Sequence, residues 1–548
     1  MRVSLPATAV PFSSWNRRTH VPQKVSIDVI PQLRDDVFEL VRSFTRSRRN
    51  CRYADIRLEV SEGKVAVAEN GMDKFSGEDY GFAFGVRVIA GERVSAPGYA
   101  GEMVGSSDLP RLSQRLREAL DHAYERAIAN SRAKEGTRRR SGVLGDVLRD
   151  VTLASIDVRQ DTIDAQYEMD PREVPLEDAV KYVREVSERV KGIDSGVAFN
   201  YISAYTQLER QLFVSTEGAN IDQTAAVTQG TCFVVAQGPD GHQELYDFTG
   251  HQRGWELIVH GIEDAPLPDG GESIHFDHLM DFSLELTRDT VALASCKPLK
   301  ATDKEVVVVT DPHYNALLCH EVVGHPTELD RALKFETGYA GRSWFMRSIK
   351  ETQLGQRVGS DLVTAFSDPT IEGFGHYMYD DEGTPARRIY HFDKGIFNGF
   401  SNSRQTAAII GAEPNGHYKA TDASLVPLIR MSNTAFAPGD RDPHDIIREV
   451  EDGYYVVGHR IPSIAESREN FRITAMKVYE IKNGEIGEMY RDGGLMSDSR
   501  DFFMNVDAVG NDFRLFAIPN CGKGQPMQTK RMSNGGPTMR SRARLTGK

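Results

Sequence analysis

The sequence is poor in cysteine. Five occur in 548 residues: Cys51, Cys232, Cys296, Cys319 and Cys521. An odd, scattered set argues against a disulfide framework, and a reducing, cytoplasmic location is expected. Positive charge is also short. Lys and Arg number 66 against 79 Asp and Glu, a net charge of −13. A generally basic nucleic-acid surface is thereby excluded, so no nucleic-acid partner is expected. No apolar run approaches the ~20 residues that span a bilayer, so no membrane partner is expected either. Residues 1–24 have no acid, only Arg2, Arg17, Arg18 and Lys24 among the charges, and no apolar core for a secretory signal. They read as a short disordered tail, with an organelle-targeting segment as the weaker alternative.

What is present is enough apolar material for several cores. The hydrophobic content is 40%, and this length calls for two or three domains. Leu33, Val37, Leu40, Val41 and Phe44 form a helical stripe. Ala54, Ile56, Leu58 and Val60 alternate with polar residues as a half-buried strand does. A turn is predicted at Glu62-Gly63, a second strand over 65–69 and a third over 81–89. Leu109 to Ala127 mark a long amphipathic helix, and the charged stretch Lys134 to Arg140 reads as a solvated joint or exposed loop. A helix from Leu176 and antiparallel strands over 197–237 follow, broken at Glu217-Gly218, with a turn at Pro239-Asp240-Gly241. Ala265 to Gly271, rich in proline and glycine, is the best boundary, and 276–295 reads as a helix. The division is a tail over 1–24, an α+β domain over 25–140, a middle antiparallel β and helix domain over 141–296, and a carboxy-terminal domain over 297–548. In that last unit, short strands with turns at Asp393-Lys394-Gly395, Lys482-Asn483-Gly484 and Asp492-Gly493-Gly494 imply a mainly β, barrel-like arrangement. The fold class is α+β.

Chemistry concentrates in His320-Glu321-Val322-Val323-Gly324-His325. Imidazoles suit zinc, and a carboxylate beside a metal can take a proton from water. The spacing is unusual. Five residues on a regular helix turn through about 500°, leaving the two rings about 140° apart. They can share a metal only where the helix ends or bulges. Gly324 can leave helical geometry cheaply, and Pro326 disfavours the α region at His325. The expectation is therefore His320 and Glu321 on the last turn of a helix and His325 just past its end. A buried strand over 305–310 precedes it, then Asp311 as N-cap and Pro312 at the first helical position. For a third ligand, spacing leaves open Glu328, Asp330, Glu336, His376, His391, His417 and His459. Cys319 points about 100° away from His320 and reads as core. Cys521 lies among glycines beside Lys523, which favours a thiolate.

These residues, continued by Leu329-Asp330 and Tyr339-Ala340-Gly341-Arg342, resemble the HExxxH segment of the TldD/PmbA family of metallopeptidases. So do Asp380 to Pro385, Pro427 with Arg430 to Thr434, Asn520 to Gln525, Tyr53 to Arg57 and Gly85 to Val88. The resemblance spans residues 50–545. It implies a zinc-dependent peptidase cutting unfolded or extended peptides, with His320, His325 and Cys521 as metal ligands and Glu321 as base. It also implies a dimer, either a homodimer or a pairing with a TldE/PmbA-like chain that lacks the motif. Pro326 departs from the family pattern, as does a shorter loop after Gly453. The acidic cluster Asp380-Asp381-Glu382 reads from composition as a solvated turn, and from the resemblance as a border of the active cleft. The same site would also serve a hydrolase of non-peptide amides or esters, and a third reading is a non-catalytic subunit.

Overall fold

A computed structural model describes residues 24–140, 149–265, 267, 274–338 and 341–547. The calls on residues 1–23, on most of the 265–271 boundary, and on Tyr339 and Ala340 lie outside these. An amino-terminal α/β layer packs on a mainly β carboxy-terminal region. The layer's seven-stranded sheet has the order β3-β2-β1-β5-β6, with β4 and β7 both on β6. The strands are β1 (Cys51–Glu69), β2 (Met72–Ala90), β3 (Ala96–Met103), β4 (Gln160–Ile163), β5 (Val197–Ser215), β6 (Asn220–Gly238) and β7 (Gly241–His251). Strands from both sides of residue 140 thus share one sheet.

The alternation in β1 has the expected phase. Ala54, Ile56, Leu58 and Val60 pack in the apolar core under α1 (Val29–Ser47) and α2 (Leu112–Arg140). The other half of the same face packs against α3 (Leu176–Lys191) and α4 (Leu279–Ala294). Three expectations are corrected. No turn forms at Glu62-Gly63, because Gly63 stays in register with both Asp79 and Gln207. The chain reverses at Asn70-Gly71, where φ values of 53° and 80° suit a tight hairpin. Lys134 to Arg140 is no loop but the last two turns of α2. The strand is also not half-buried. Asp55, Arg57 and Glu59, on its polar face, are buried against the carboxy-terminal region.

That region contains a closed β-barrel. Its strands are β8 (Val306–Thr310), β9 (Asp452–Ile464), β10 (Asn470–Lys482), β11 (Gly494–Asp498) and β12 (Met539–Thr546). Pairing runs β10-β9-β8-β12-β11 and returns to β10. Only β8 and β9 are parallel. A six-stranded sheet stands beside the barrel and ends with Asn433–Phe436, then β14 (Gln528–Gly536), then β13 (Arg514–Lys523) at its edge. The turns predicted at 394–395, 483–484 and 492 are present, each with positive φ. Among the described residues no helix is long and apolar enough to cross a membrane.

Candidate metal centre

The helix α5 (Pro312–Cys319) rises from β8 through the expected start: Asp311 caps it, accepting from the Tyr314 amide at 2.7 Å, with Pro312 in its first turn. Its far end differs from the expectation. The helix does not stop at Glu321. It widens into one π-type turn over His320–Gly324, in which the His325 amide donates to the His320 carbonyl. His325 keeps helical angles, φ −60° and ψ −46°, despite Pro326, and a short 3₁₀ turn over His325–Thr327 follows. An i→i+5 turn carries the fifth residue back above the first, which a regular turn does not. Gly324 also stays helical, at φ −59°. Its lack of a side chain matters for space, because a Cβ there would lie 1.8 Å from the Met431 sulfur.

The bulge brings His320 and His325 together, with ring centroids 4.7 Å apart. Cys521, on the edge strand β13, reaches the same point. One donor atom from each of His320, His325 and Cys521 lies within 4.8 Å of the others, and all three residues are buried. Cys521 Sγ is 3.4 Å from His325 Nε2. A tetrahedral ion with bonds of about 2.0–2.3 Å holds its ligands about 3.3–3.8 Å apart; the Cys521–His325 pair already stands at that distance, and the set can chelate a metal ion.

Neighbours orient each ring. His320 Nδ1 meets Asn534 Oδ1 at 2.8 Å, and Asn534 Nδ2 donates to the Thr434 carbonyl, which fixes the amide so that Nδ1 is the donor. His325 Nδ1 donates to Glu328 Oε2 at 3.2 Å. Both Nε2 lone pairs are therefore left for the site. Glu328 is itself held by Arg331 at 2.9 Å and Lys523 at 3.1 Å. Burial pushes its carboxyl up, but Lys523, His325 and Arg331 hold it well below the usual range. Burial likewise pushes the Cys521 thiol up. The charges of His325, Arg430 and His320 outweigh burial and hold it well below the usual thiol value. His320 is pulled down by burial, yet Cys521 raises it to about 9. The thiol and the His320 ring thus each favour the other's charged form. Glu321 turns toward Arg468, whose Nη1 contacts its Oε2. Burial opposes ionisation there, but Arg468, His320 and His325 keep its value below the ordinary one. Arg468 sits at φ +68°, in the tip between β9 and β10.

The remaining sequence candidates go elsewhere. Glu328 and Asp330 support the site from behind, Asp330 through Lys523 at 2.6 Å. Glu336 accepts from the Gly338 amide. His459 stacks on His313 at 4.4 Å. His391 and His417 are buried with backbone and hydroxyl partners. Cys319 is fully buried core. Asp380-Asp381-Glu382 is not a solvated turn. It is buried and joins the two halves, Asp381 pairing with Arg57 at 2.9 Å and Glu382 with Arg87 at 3.1 Å. Sequence reasoning missed Asn534, on a distant strand, and Arg468, in a distant hairpin tip, single residues with no spacing signal.

Two imidazoles, a thiol and a carboxylate gathered in one buried corner are the donor set of a metal-dependent hydrolase. Comparison with known proteins agrees. Residues 303–546 match the family model for the PmbA/TldA metallopeptidase C-terminal domain. A metalloprotease of Methanothermobacter thermautotrophicus is 29% identical over 377 residues, 69% of this chain and 75% of its own. A metalloprotease of Methanocaldococcus jannaschii is 26% identical over 479 residues, 86% of this chain and 92% of its own. Among solved structures, TldE from Thermococcus kodakarensis shares the fold, with a TM-score of 0.64 at 17% identity over 93% of this chain and 99% of that one. The chain is thus homologous to the TldD/PmbA-family metalloproteases, most directly through residues 303–546.

Proposed function

We propose that the protein is a zinc-dependent metallopeptidase that hydrolyses peptide bonds in extended or unfolded peptides. The observation that carries this reading is the convergence of His320, His325 and Cys521 donor atoms within 4.8 Å, with Glu321 beside them. His320, His325 and Cys521 would hold the zinc, which would supply a Lewis acid to polarise the scissile carbonyl and acidify water. Glu321 accepts the water proton and returns it to the leaving amine. Arg468 keeps the Glu321 carboxylate ionised and aimed. Asn534 and Glu328 hold the two rings in the tautomer that presents Nε2.

An extended substrate suits the site because β13, which carries Cys521, is the last strand of its sheet. Its outer edge offers backbone groups to a peptide lying as an added strand. A pairing with a TldE-like chain or a second copy, and a reducing cytoplasmic setting that spares the Cys521 thiolate, complete the proposal. Co-purification and light scattering test the pairing. The central test is zinc content with peptide hydrolysis in wild type, Glu321→Gln and Cys521→Ser. Wild type is expected to carry one zinc and cleave. Glu321→Gln keeps the metal and loses about 10²–10⁴-fold in rate, and Cys521→Ser loses both. Normal cleavage by Glu321→Gln removes it from the mechanism. Zinc well below one equivalent in folded wild type sinks the metal assignment. Cleavage of esters but not peptides points to the non-peptide alternative.

A further inference from the structure

We propose that the cavity between the amino-terminal sheet and β14 is a subsite for a carboxylate carried by the substrate, bound by Lys530 and Arg531. The proposal rests on the peptidase reading and names what the substrate carries. The cavity has a volume of about 400 Å³, inside the range of small-molecule pockets and large enough for one or two residues of a peptide. One wall is β5 and β6, through Glu209, Gln211 and Gln223. The facing wall includes Lys530, Arg531 and Met431.

Two contacts set this cavity beside the metal cluster. Lys530 stands directly opposite Cys521 in the β13–β14 register. Met431 packs on Gly324 and shares a small apolar cluster with Cys521. A peptide whose scissile bond lies at the cluster would bring a neighbouring residue here.

The charges on the walls are unevenly satisfied. Lys419 is matched by Asp381 at 2.5 Å. Arg531 meets Glu209 at 2.5 Å through Nη2, but its Nε is buried and makes no hydrogen bond. The half-buried Lys530 ammonium donates to the Ala420 carbonyl at 2.8 Å and makes no direct ion pair among the described residues, with Glu209 and Asp381 acting on it from further off. An ammonium has three donors, so two remain for a ligand in the cavity. An incoming carboxylate would supply a direct partner through charge-assisted hydrogen bonds. Met378, Met431 and Ala225 give apolar surface for a side-chain stem.

The carboxylate can come from an acidic side chain or from a chain terminus, and two peptide series separate these. One exchanges Glu for Gln at successive positions around the cleaved bond, and the other exchanges a free carboxy terminus for an amide. With the zinc-loaded protein, one series should show kcat/KM at least tenfold higher for the acid, and Lys530→Met should abolish that ratio. Calorimetry on metal-free Glu321→Gln should show the same tenfold preference in binding, without turnover. Equal constants for acid and neutral peptides in both series overturn the subsite, and wild type alone gives that result if Lys530→Met fails to fold. If zinc-loaded wild type cleaves no peptide, the peptidase reading fails instead. The calorimetric comparison then still decides the subsite, and absence of a preference overturns it.

Discussion

His320 and His325 are fixed by different means. The first is held by a neutral amide, Asn534, and the second by an ionised carboxylate, Glu328, which is itself anchored by Arg331 and Lys523. Removing the neutral partner leaves no stranded charge. Asn534→Ala should therefore fold normally while freeing His320 to rotate and change tautomer. Zinc affinity is expected to fall about 10–100-fold, the usual effect of losing a partner behind a metal-binding histidine. Competition with a chromogenic chelator measures it. Unchanged affinity would show that His320 is oriented by packing alone. At this scale the site's donors were legible in the sequence, because histidine, cysteine and glutamate announce their chemistry. Their supports were not. Asn534, on a strand, and Arg468, in a hairpin tip, lie more than a hundred residues from the motif, and neither residue type distinguishes support from surface.

The π turn at the end of α5 is the element on which the site depends. The sequence exposed the conflict, two histidines five apart, but resolved it as a helix end. The chain instead widens one turn and stays helical through Gly324 and His325. Proline at 326 is compatible with this, because His325 is followed only by a short 3₁₀ turn. Glycine at 324 is required by Met431, not by its own angles. The prediction follows from that contact. Gly324→Ala places a methyl group 1.8 Å from the Met431 sulfur, and overpacking of this kind costs about 1–3 kcal/mol. Met431→Ala should recover most of the loss in the double variant, because the two residues share the clash. Thermal melts of the four proteins check this. Simple additivity would place the strain in the backbone instead. Elsewhere the long periodic helices and the hairpin turns at 394–395 and 483–484 were read correctly, since both signals are local. The polar face of β1 was misread, because alternation reports two faces and not what covers the second.

The two halves of the molecule meet through buried charge. Arg57 and Lys419 share Asp381, and Arg87 bridges Asp55 and Glu382. Asp381→Asn leaves two buried cations short of an anion, a change that typically costs about 3–5 kcal/mol, and denaturant titration measures it. Buried histidines add a dependence on pH. Burial pulls His251 and His417 down to about 3 and His391 down to about 4, while in the unfolded chain each titrates near 6.5. Between those values the unfolded chain binds protons the folded one refuses, so stability rises with pH and is lost as pH falls below about 6.5. His376 and His459 are shifted in the same direction, again chiefly by burial. Asp380 acts oppositely. Burial and Glu382 raise it to about 8, so the folded state keeps a proton that the unfolded chain releases near 3.8, and stability declines as pH rises through 8. His313 acts in that sense too, raised by Asp247 against burial. In metal-free protein His320, at about 9, joins them. The buried histidines dominate below 6.5, while above it the lowered Cys521 thiol offsets the raised His320. Metal-free protein should therefore lose stability as pH falls below 6.5, and denaturant midpoints at pH 5 and 6.5 measure this. Replacing His251, whose ring nitrogens make no hydrogen bond, by Phe should flatten the acid limb. An acid limb unchanged in His251→Phe would mean that this ring is protonated in the fold or leaves it before titrating.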